Sequence, residues 1–210
     1  MKDVLKIRKI FENRKPTSIK KIKEVSVIIA LMNINDKLHL IFEKRSGSVN
    51  QSGDLSFIGG HIEEDETPLS AAIRETKEEC NLSEDNINII GESDYLINFN
   101  SLFVHTFVCE ITNIKFEDID CNDEVEKLIA VPLEEIISTH PSSYNSKITI
   151  ERDENFPYHL IENGRNYNFF SGNEVTYFYE FKNCIVWGLT AKILNNFVEI
   201  LKDGDFLLDL

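Results

Sequence analysis

Residues 25–32 form a nearly continuous apolar run in which aliphatic and β-branched side chains predominate. A run of this length and composition is typical of a strand that is buried on both faces. The polar residues 33–36 then predict a turn, and residues 37–44 predict a second strand. The two segments are therefore expected to form a β-hairpin near the centre of the fold.

The rest of the chain alternates between helical and strand-like patterns. Apolar residues recur at helical spacing over residues 2–14, which end before Pro16, and again over residues 187–201. Strands are expected at 87–99, 101–112, 125–131, 147–153, 157–161 and 175–182, and a short helix at 133–138. These elements predict a mixed α/β (α+β) fold in which strands outnumber helices.

A further helix is predicted over residues 68–80, because both of its ends carry recognisable signals. Thr67 can cap the first turn, and Pro68 suits the first helical position. Asn81 follows the last turn, and asparagine tolerates the left-handed conformation that commonly ends a helix.

Three glutamates share one side of this helix, since Glu75, Glu78 and Glu79 stand at positions i, i+3 and i+4. The opposite side is apolar enough to be buried; it carries Leu69, Ala72, Ile73 and Thr76. Clustered carboxylates repel one another and usually form a solvated acidic surface. They also supply the hard oxygen ligands that suit Mg²⁺ or Mn²⁺. From the spacing alone, the solvated surface and the metal site are about equally supported.

The residues around this helix resemble the signature of the Nudix hydrolases. That signature has a glycine, five residues, a glutamate, seven residues, an Arg-Glu pair and, two residues later, a Glu-Glu pair. The chain matches it at Gly60, Glu66, Arg74, Glu75, Glu78 and Glu79. Thr76 stands where an aliphatic residue is usual and Asn81 where glycine is usual, and neither change removes a charged residue.

The resemblance implies a Nudix fold, in which a mixed β-sheet is sandwiched between helices, and a divalent cofactor, Mg²⁺ or Mn²⁺. The metal ligands and catalytic residues that it implies are Glu75, Glu78 and Glu79. One of them, or an acid elsewhere, would be the general base for an attacking water. The backbone at Gly59 and Gly60 would approach the metal, because glycine has no side chain. Arg74 and Glu66 are expected to pair and to brace the loop against the helix.

A second resemblance, which extends from residue 25 to about residue 200, is to the coenzyme A pyrophosphatases within this family. The chain has their Arg45-Ser46 pair and a Gly-Asp-Leu-Ser-Phe run that ends at Phe57, just before the double glycine. Ile58 replaces the usual proline, and the spacer is one residue short and lacks an arginine. The resemblance implies that Arg45, Ser46 and Phe57 contact the substrate.

Two charged residues outside the signature are further candidates. Arg45 is a candidate phosphate ligand because its guanidinium fork suits phosphate oxygens, and an exposed arginine at a strand end is the competing explanation. Glu124 is a candidate extra acid near the site, and a solvated loop carboxylate is the competing explanation.

Composition and charge narrow the class of protein. The 210 residues carry a net charge of −14 and are 42% hydrophobic, with no apolar run long enough to cross a membrane. We therefore expect a soluble cytoplasmic protein without a membrane partner, and the acidic balance argues against nucleic acid as a partner. Residues 1–22 are expected to form a basic helix and linker ahead of a Nudix hydrolase domain at 23–210. Nudix proteins often pair, so a homodimer is also an expectation.

Three functional hypotheses follow. The first is metal-dependent hydrolysis of the diphosphate linkage of coenzyme A or its derivatives, giving 4′-phosphopantetheine and adenosine 3′,5′-bisphosphate. The second is a Nudix hydrolase that acts on another nucleoside diphosphate derivative, such as ADP-ribose, NADH or a nucleoside triphosphate. The third is a non-catalytic nucleotide-binding Nudix module, which is disfavoured because such modules usually lose the glutamates that this chain retains.

Overall fold

The computed structural model describes residues 2–47 and 53–204. The helices of these residues are α1 (Lys2–Phe11), α2 (Pro68–Cys80), α3 (Leu133–Ser138) and α4 (Gly188–Asp203). The strands are β1 (Lys23–Ile34), β2 (Lys37–Arg45), β3 (Leu55–Ser56), β4 (Ile58–His61), β5 (Ile87–Glu92), β6 (Leu96–Ile97), β7 (Leu102–Ile111), β8 (Val125–Pro132), β9 (Ser142–Ile148), β10 (Gly172–Glu180) and β11 (Ile185–Trp187).

Strand β1 organises the larger sheet. Along one edge it pairs in parallel with β7, from Lys23 to Met32. Along its other edge it pairs antiparallel with β4 in its first half and with β2 in its second half, so it holds both strands in fixed register. The described residues form an eight-stranded mixed sheet around this core, with the order β3-β2-β1-β7-β5 and with β4, β6 and β8 paired to its members. Strands β9, β10 and β11 form a separate antiparallel sheet.

Alternate residues of β1 enter two different cores. Ile28, Ala30 and Met32 belong to the cluster that packs against α2. Ile29 and Leu31 belong to the cluster to which α3 and α4 contribute. The mixed sheet therefore lies between helices, as predicted, and burial of both faces explains the nearly continuous apolar run in β1.

Several predicted elements are confirmed, and some strands are wrong. The hairpin, α2 and α3 form where the sequence predicts them. The predicted strand at 87–99 is divided into β5 and β6, because the pairing of β5 with β7 becomes irregular between Ile89 and Gly91. The strand predicted at 147–153 lies earlier, at β9. The strand predicted at 157–161 is instead a 3₁₀ turn, since Pro157 has no N–H for a strand ladder and its carbonyl accepts from Leu160 N–H.

Helix α1 ends at Phe11, before the predicted end at residue 14. Its apolar residues Val4, Ile7, Ile10 and Phe11 are exposed. None of the helices in the described residues is both long enough and apolar enough to cross a membrane.

Candidate active site

Helix α2 is fixed at both ends by its own sequence. The Thr67 hydroxyl accepts from Ser70 N–H at 3.1 Å, while Ser70 Oγ accepts from Thr67 N–H at 2.9 Å, so two otherwise unpaired donors are satisfied. Pro68 starts the helix and Asn81 ends it in the left-handed conformation, with φ 48° and ψ 34°. The bounds of the helix that carries the glutamates therefore follow from local interactions.

The side of α2 that faces the sheet buries Ala71, Ala72, Thr76 and Cys80. Thr76 occupies its buried position without cost to its hydroxyl, which donates to the Ala72 carbonyl at 2.7 Å. This bond explains how threonine can stand where an aliphatic side chain is usual.

The three glutamates of α2 differ in their access to water. Glu79 is 5% exposed. The side chain of Glu75 is 18% exposed and that of Glu78 is 56% exposed. A wholly solvated acidic surface does not describe this arrangement, because its most deeply placed carboxylate lies against the sheet.

Arg74 is the cation that these residues share. Its Nε and Nη2 donate to the two Glu66 oxygens, each at 3.1 Å, and Nη2 also donates to the His61 carbonyl at 3.0 Å. Its Nη1 lies 3.0 Å from Glu75 Oε1 and 3.1 Å from Glu78 Oε2. The hydrogen bonds from Arg74 hold the pKa of Glu66 below its ordinary value. Arg74 thus joins the loop before α2 to the helix, and it also restrains two of the three glutamates.

The double glycine brings backbone close to the helix. Gly59 has φ 146°, and a Cβ on this residue would lie 2.2 Å from the Ser26 carbonyl oxygen. Its N–H donates to Glu79 Oε2 at 3.1 Å. A Cβ on Gly60 would lie 2.4 Å from Glu75 Oε1. Close approach to a neighbouring strand therefore requires Gly59, whereas Gly60 faces only the end of a carboxylate side chain.

Glu43, which no motif in the sequence singles out, is a charged neighbour of Glu79. It lies on β2 and is 1% exposed. Its Oε1 accepts from Ser56 Oγ at 2.7 Å and lies 3.4 Å from Arg45 Nη1. Among the described residues, its Oε2 is buried without a hydrogen-bond partner. Strand periodicity could have indicated it, because Glu43 shares a face with Ile41, which packs against α2.

Burial and like charge raise the pKa of several acids here. Burial, followed by the neighbouring Glu43 carboxylate, raises the pKa of Glu79 to about 9. Burial likewise raises the pKa of Glu43 and of Glu75 above the ordinary value. Burial is the largest cause of all three raised pKa values, because a carboxylate loses its hydration when it is withdrawn from water.

An open cavity of about 810 Å³ collects most of the candidate residues. The candidates that line it are Arg45, Phe57, Gly59, Gly60, Arg74, Glu75, Glu78, Glu79 and Glu124. Glu66 is linked to these residues by its hydrogen bonds with Arg74. The cavity is also lined by Lys23, which the sequence analysis did not single out, and by apolar residues that include Leu102 and Ile193.

Two of the residues that were expected to contact the substrate mainly contact other parts of the protein. Ser46 is not among the cavity-lining residues, and its hydroxyl donates to the Asp123 carbonyl at 2.7 Å. The bond ties β2 to the loop that carries Glu124. Phe57 lines the cavity but is only 3% exposed, and its ring lies 5.2 Å from that of Phe42.

The residues of this site fit a hard divalent cation. Its acidic side chains offer only carboxylate oxygens, and one buried carboxylate oxygen has no donor among the described residues. In the described residues, no group of three or more Asp, Glu, His or Cys side chains is arranged so that it could hold a metal ion. Glu75 and Glu78 both contact Arg74. Mg²⁺ does not need such a group, since one or two carboxylates with waters and substrate phosphates suffice.

Comparison with known proteins agrees with this geometry. A family model described as "NUDIX domain" matches residues 22–151. Nudix hydrolase 3 of Caenorhabditis elegans is 25% identical over 194 residues, which cover 89% of this chain and 76% of that protein. The uncharacterized Nudix hydrolase NudL of Photorhabdus laumondii is 25% identical over 162 residues, which cover 76% of this chain and 75% of that protein.

Solved structures give partial superpositions. A Caenorhabditis elegans Ap4A hydrolase binary complex aligns with a TM-score of 0.47 at 21% identity, over 54% of this chain and 83% of its own. A MutT/nudix family protein from Enterococcus faecalis aligns with a TM-score of 0.49 at 12% identity, over 95% of this chain and 70% of its own.

The two glycines give a matched pair of stability tests. Gly59→Ala places Cβ against backbone at a positive φ, so we expect a loss of about 2–4 kcal/mol or failure to fold. Gly60→Ala meets only the end of the flexible Glu75 side chain, so we expect a loss below about 1 kcal/mol. Urea unfolding of both variants measures the difference, and equal losses would contradict the assignment of separate roles.

Glu79 should lower the stability of the metal-free protein at alkaline pH. Its pKa is raised in the folded state, so the folded protein binds more protons than the unfolded chain, and stability falls as pH rises from about 5 towards 9. In EDTA at pH 8, Glu79→Gln should therefore raise the Tm by at least about 2–4 °C. The gain should shrink at pH 5. Glu64→Gln, which alters an exposed carboxylate, is the control; an unchanged or lower Tm for Glu79→Gln at pH 8 would contradict the prediction.

Proposed function

The chain belongs to the Nudix family, and from this premise we propose that it hydrolyses the diphosphate linkage of coenzyme A or its derivatives with Mg²⁺ or Mn²⁺. Water adds to one phosphorus of the diphosphate and the bridging P–O bond breaks. The products are 4′-phosphopantetheine and adenosine 3′,5′-bisphosphate. One observation carries the proposal: Arg45 and Phe57 line the same cavity as the three glutamates of α2, although they are distant from them in sequence.

The acidic residues have distinct parts in this proposal. Glu75, Glu78 and Glu79 would hold the divalent ion, and the Gly59 backbone lies beside Glu79. When bound, the ion polarises phosphorus, activates water and neutralises the charge that develops on the leaving phosphate. Glu124 lines the same cavity, so the general base is one of the three α2 glutamates or Glu124.

The loop that carries Glu124 is attached to the end of α2. Asn122 N–H donates to the Glu79 carbonyl at 2.9 Å, and Ser46 N–H donates to the Glu124 carbonyl at 2.8 Å. These bonds support a positioning part for Ser46, which holds the Glu124 loop and the start of the Arg45 motif together. They also keep Glu124 on the same side of the cavity as the α2 glutamates.

Substrate recognition would use the rest of the cavity wall. Arg45 and Lys23 line the cavity, and their cationic groups suit phosphate oxygens. Leu102, Ile193 and their apolar neighbours form a surface that suits the hydrocarbon parts of a pantetheine arm. The cavity wall therefore has a cationic part and an apolar part. A diphosphate flanked by one polar group and one extended, partly apolar group matches these two parts.

The second candidate is a Nudix hydrolase for another nucleoside diphosphate derivative, such as ADP-ribose, NADH or a nucleoside triphosphate. It is favoured by the absence of an arginine from the spacer after Arg45 and by Ile58 in place of the usual proline. Its ion and its glutamates would be the same, so the two candidates differ only in how the remainder of the substrate is recognised.

A substrate panel distinguishes the candidates. The value of kcat/KM would be measured for coenzyme A, acetyl-coenzyme A, ADP-ribose, NADH and ATP, each with Mg²⁺ and with Mn²⁺. We expect coenzyme A or its acyl derivative to be among the best substrates. We also expect Glu75→Gln to lower kcat by more than the roughly 10–100-fold loss typical of residues that only orient metal ligands.

Glu64→Gln serves as the control and should retain the parent rate. If kcat/KM for ADP-ribose, NADH or ATP exceeds that for coenzyme A by more than about tenfold, the second candidate is supported and the first is wrong. Absence of turnover on every compound, together with retained nucleotide binding, would favour a non-catalytic module.

A further inference from the structure

Glu43 is a buried carboxylate that neither the family signature nor the motif at Arg45-Ser46 assigns a part. It is 1% exposed, and its Oε2 has no hydrogen-bond partner among the described residues. Buried polar atoms in folded proteins are nearly always paired, and a buried carboxylate oxygen is among the most costly to leave unpaired. An oxygen of this kind therefore needs an explanation beyond packing.

The neighbours of Glu43 hold it beside the α2 glutamates. Ser56 Oγ donates to Oε1 at 2.7 Å, and Arg45 Nη1 approaches the same oxygen at 3.4 Å. Glu79 is in turn held by Gly59 N–H. Ser56 stands only three residues before Gly59, so Glu43 and Glu79 are bound by the same short segment of chain. The two carboxylates are thus fixed next to each other by strands β2, β3 and β4, not by chance contact of mobile side chains.

From this geometry we propose that Glu43 is a ligand of the same divalent cation as Glu79. Two adjacent carboxylates repel each other in a buried position unless a proton or a metal cation lies between them. Arg45 Nη1 lies 3.4 Å from Glu43 Oε1, and Glu43 Oε2 has no hydrogen-bond partner among the described residues. A divalent cation uses the unpaired oxygen and removes the repulsion at once. The inference rests on the proposed function, because it adds a ligand to the ion that the proposed reaction requires.

The pair also divides the site into two parts. Glu43 and Glu79 form an inner pair that the β-sheet fixes. Glu75 and Glu78 lie farther out, and both are bound to Arg74. Two carboxylates with waters and phosphate oxygens are enough for Mg²⁺, so the inner pair binds the ion without rearrangement of Arg74. Glu75 and Glu78 then contribute carboxylate ligands to the ion when the substrate enters the cavity.

Manganese binding without substrate tests the inference directly. Free Mn²⁺ would be counted by electron paramagnetic resonance during titration of the parent, Glu43→Gln, Glu79→Gln and Glu126→Gln proteins. Glutamine keeps the size of Glu43 and its acceptor for Ser56, so the fold should be retained, which circular dichroism checks. Glu126 is the matched control because it is a carboxylate on the neighbouring strand β8, paired with Lys44.

We expect Glu43→Gln and Glu79→Gln each to weaken Mn²⁺ binding by about tenfold or more, and Glu126→Gln to leave it within twofold. Unchanged Mn²⁺ affinity in a folded Glu43→Gln protein overturns the inference. If Glu79→Gln alone weakens binding, the proposed function stands and only the part given to Glu43 fails. If the parent protein binds no Mn²⁺, both fail together.

A crystal of the parent protein grown with MnCl₂ gives a second measurement that does not depend on any variant. Anomalous scattering would locate the ion, and a Glu43 oxygen should lie within about 2.5 Å of it. If the ion is bound by Glu79 and both Glu43 oxygens lie beyond about 3 Å from it, Glu43 is not a ligand. Glu43 then only positions Glu79.

Discussion

Glu43 and Glu79 are held by Ser56 and Gly59 of one short segment of chain, and both are almost wholly withdrawn from water. Repulsion between like charges is poorly screened in such a position, and hydration cannot offset it. The folded chain therefore ionises both acids only at a cost, which a bound proton or metal cation would relieve. The affinity of the site for a divalent ion and the cost of the empty site to stability have the same physical origin. This constraint explains why so much of the surrounding structure serves to hold acidic side chains still.

The scaffold fixes the site from three directions. Strand β1 keeps β4 and β2 in register on one of its edges, so the Gly59 N–H and the Glu43 side chain are both fixed relative to α2. The capped ends of α2 set the rotation of its glutamates about the helix axis. Arg74 then joins the helix to the preceding loop through Glu66 and the His61 carbonyl. Each support is a hydrogen bond or a strand pairing, and together they leave little freedom for the carboxylates to move apart.

The local signals in the sequence were sufficient to predict the bounds of α2 and the shared face of its glutamates. The bounds of α2 depend on Thr67, Pro68 and Asn81, which act within a few residues, so they could be predicted. The pairing of Glu43 with Glu79 could not be read from spacing, because it joins a strand and a helix that are distant in sequence. The strands predicted between 147 and 161 were wrong for the opposite reason. There, local apolar periodicity was misleading, and Pro157 with its turn decided the conformation.

The most direct test of the central claim is to follow the oxygen of the attacking water. The protein would be incubated with coenzyme A and Mg²⁺ in ¹⁸O-water, with EDTA and Glu79→Gln as parallel reactions, and the products identified by mass spectrometry. We expect one ¹⁸O atom in the new phosphate group of either 4′-phosphopantetheine or adenosine 3′,5′-bisphosphate, and no product in the parallel reactions. Product formation that persists in EDTA, or that Glu79→Gln leaves unchanged, would contradict the claim that buried carboxylates act through a divalent cation.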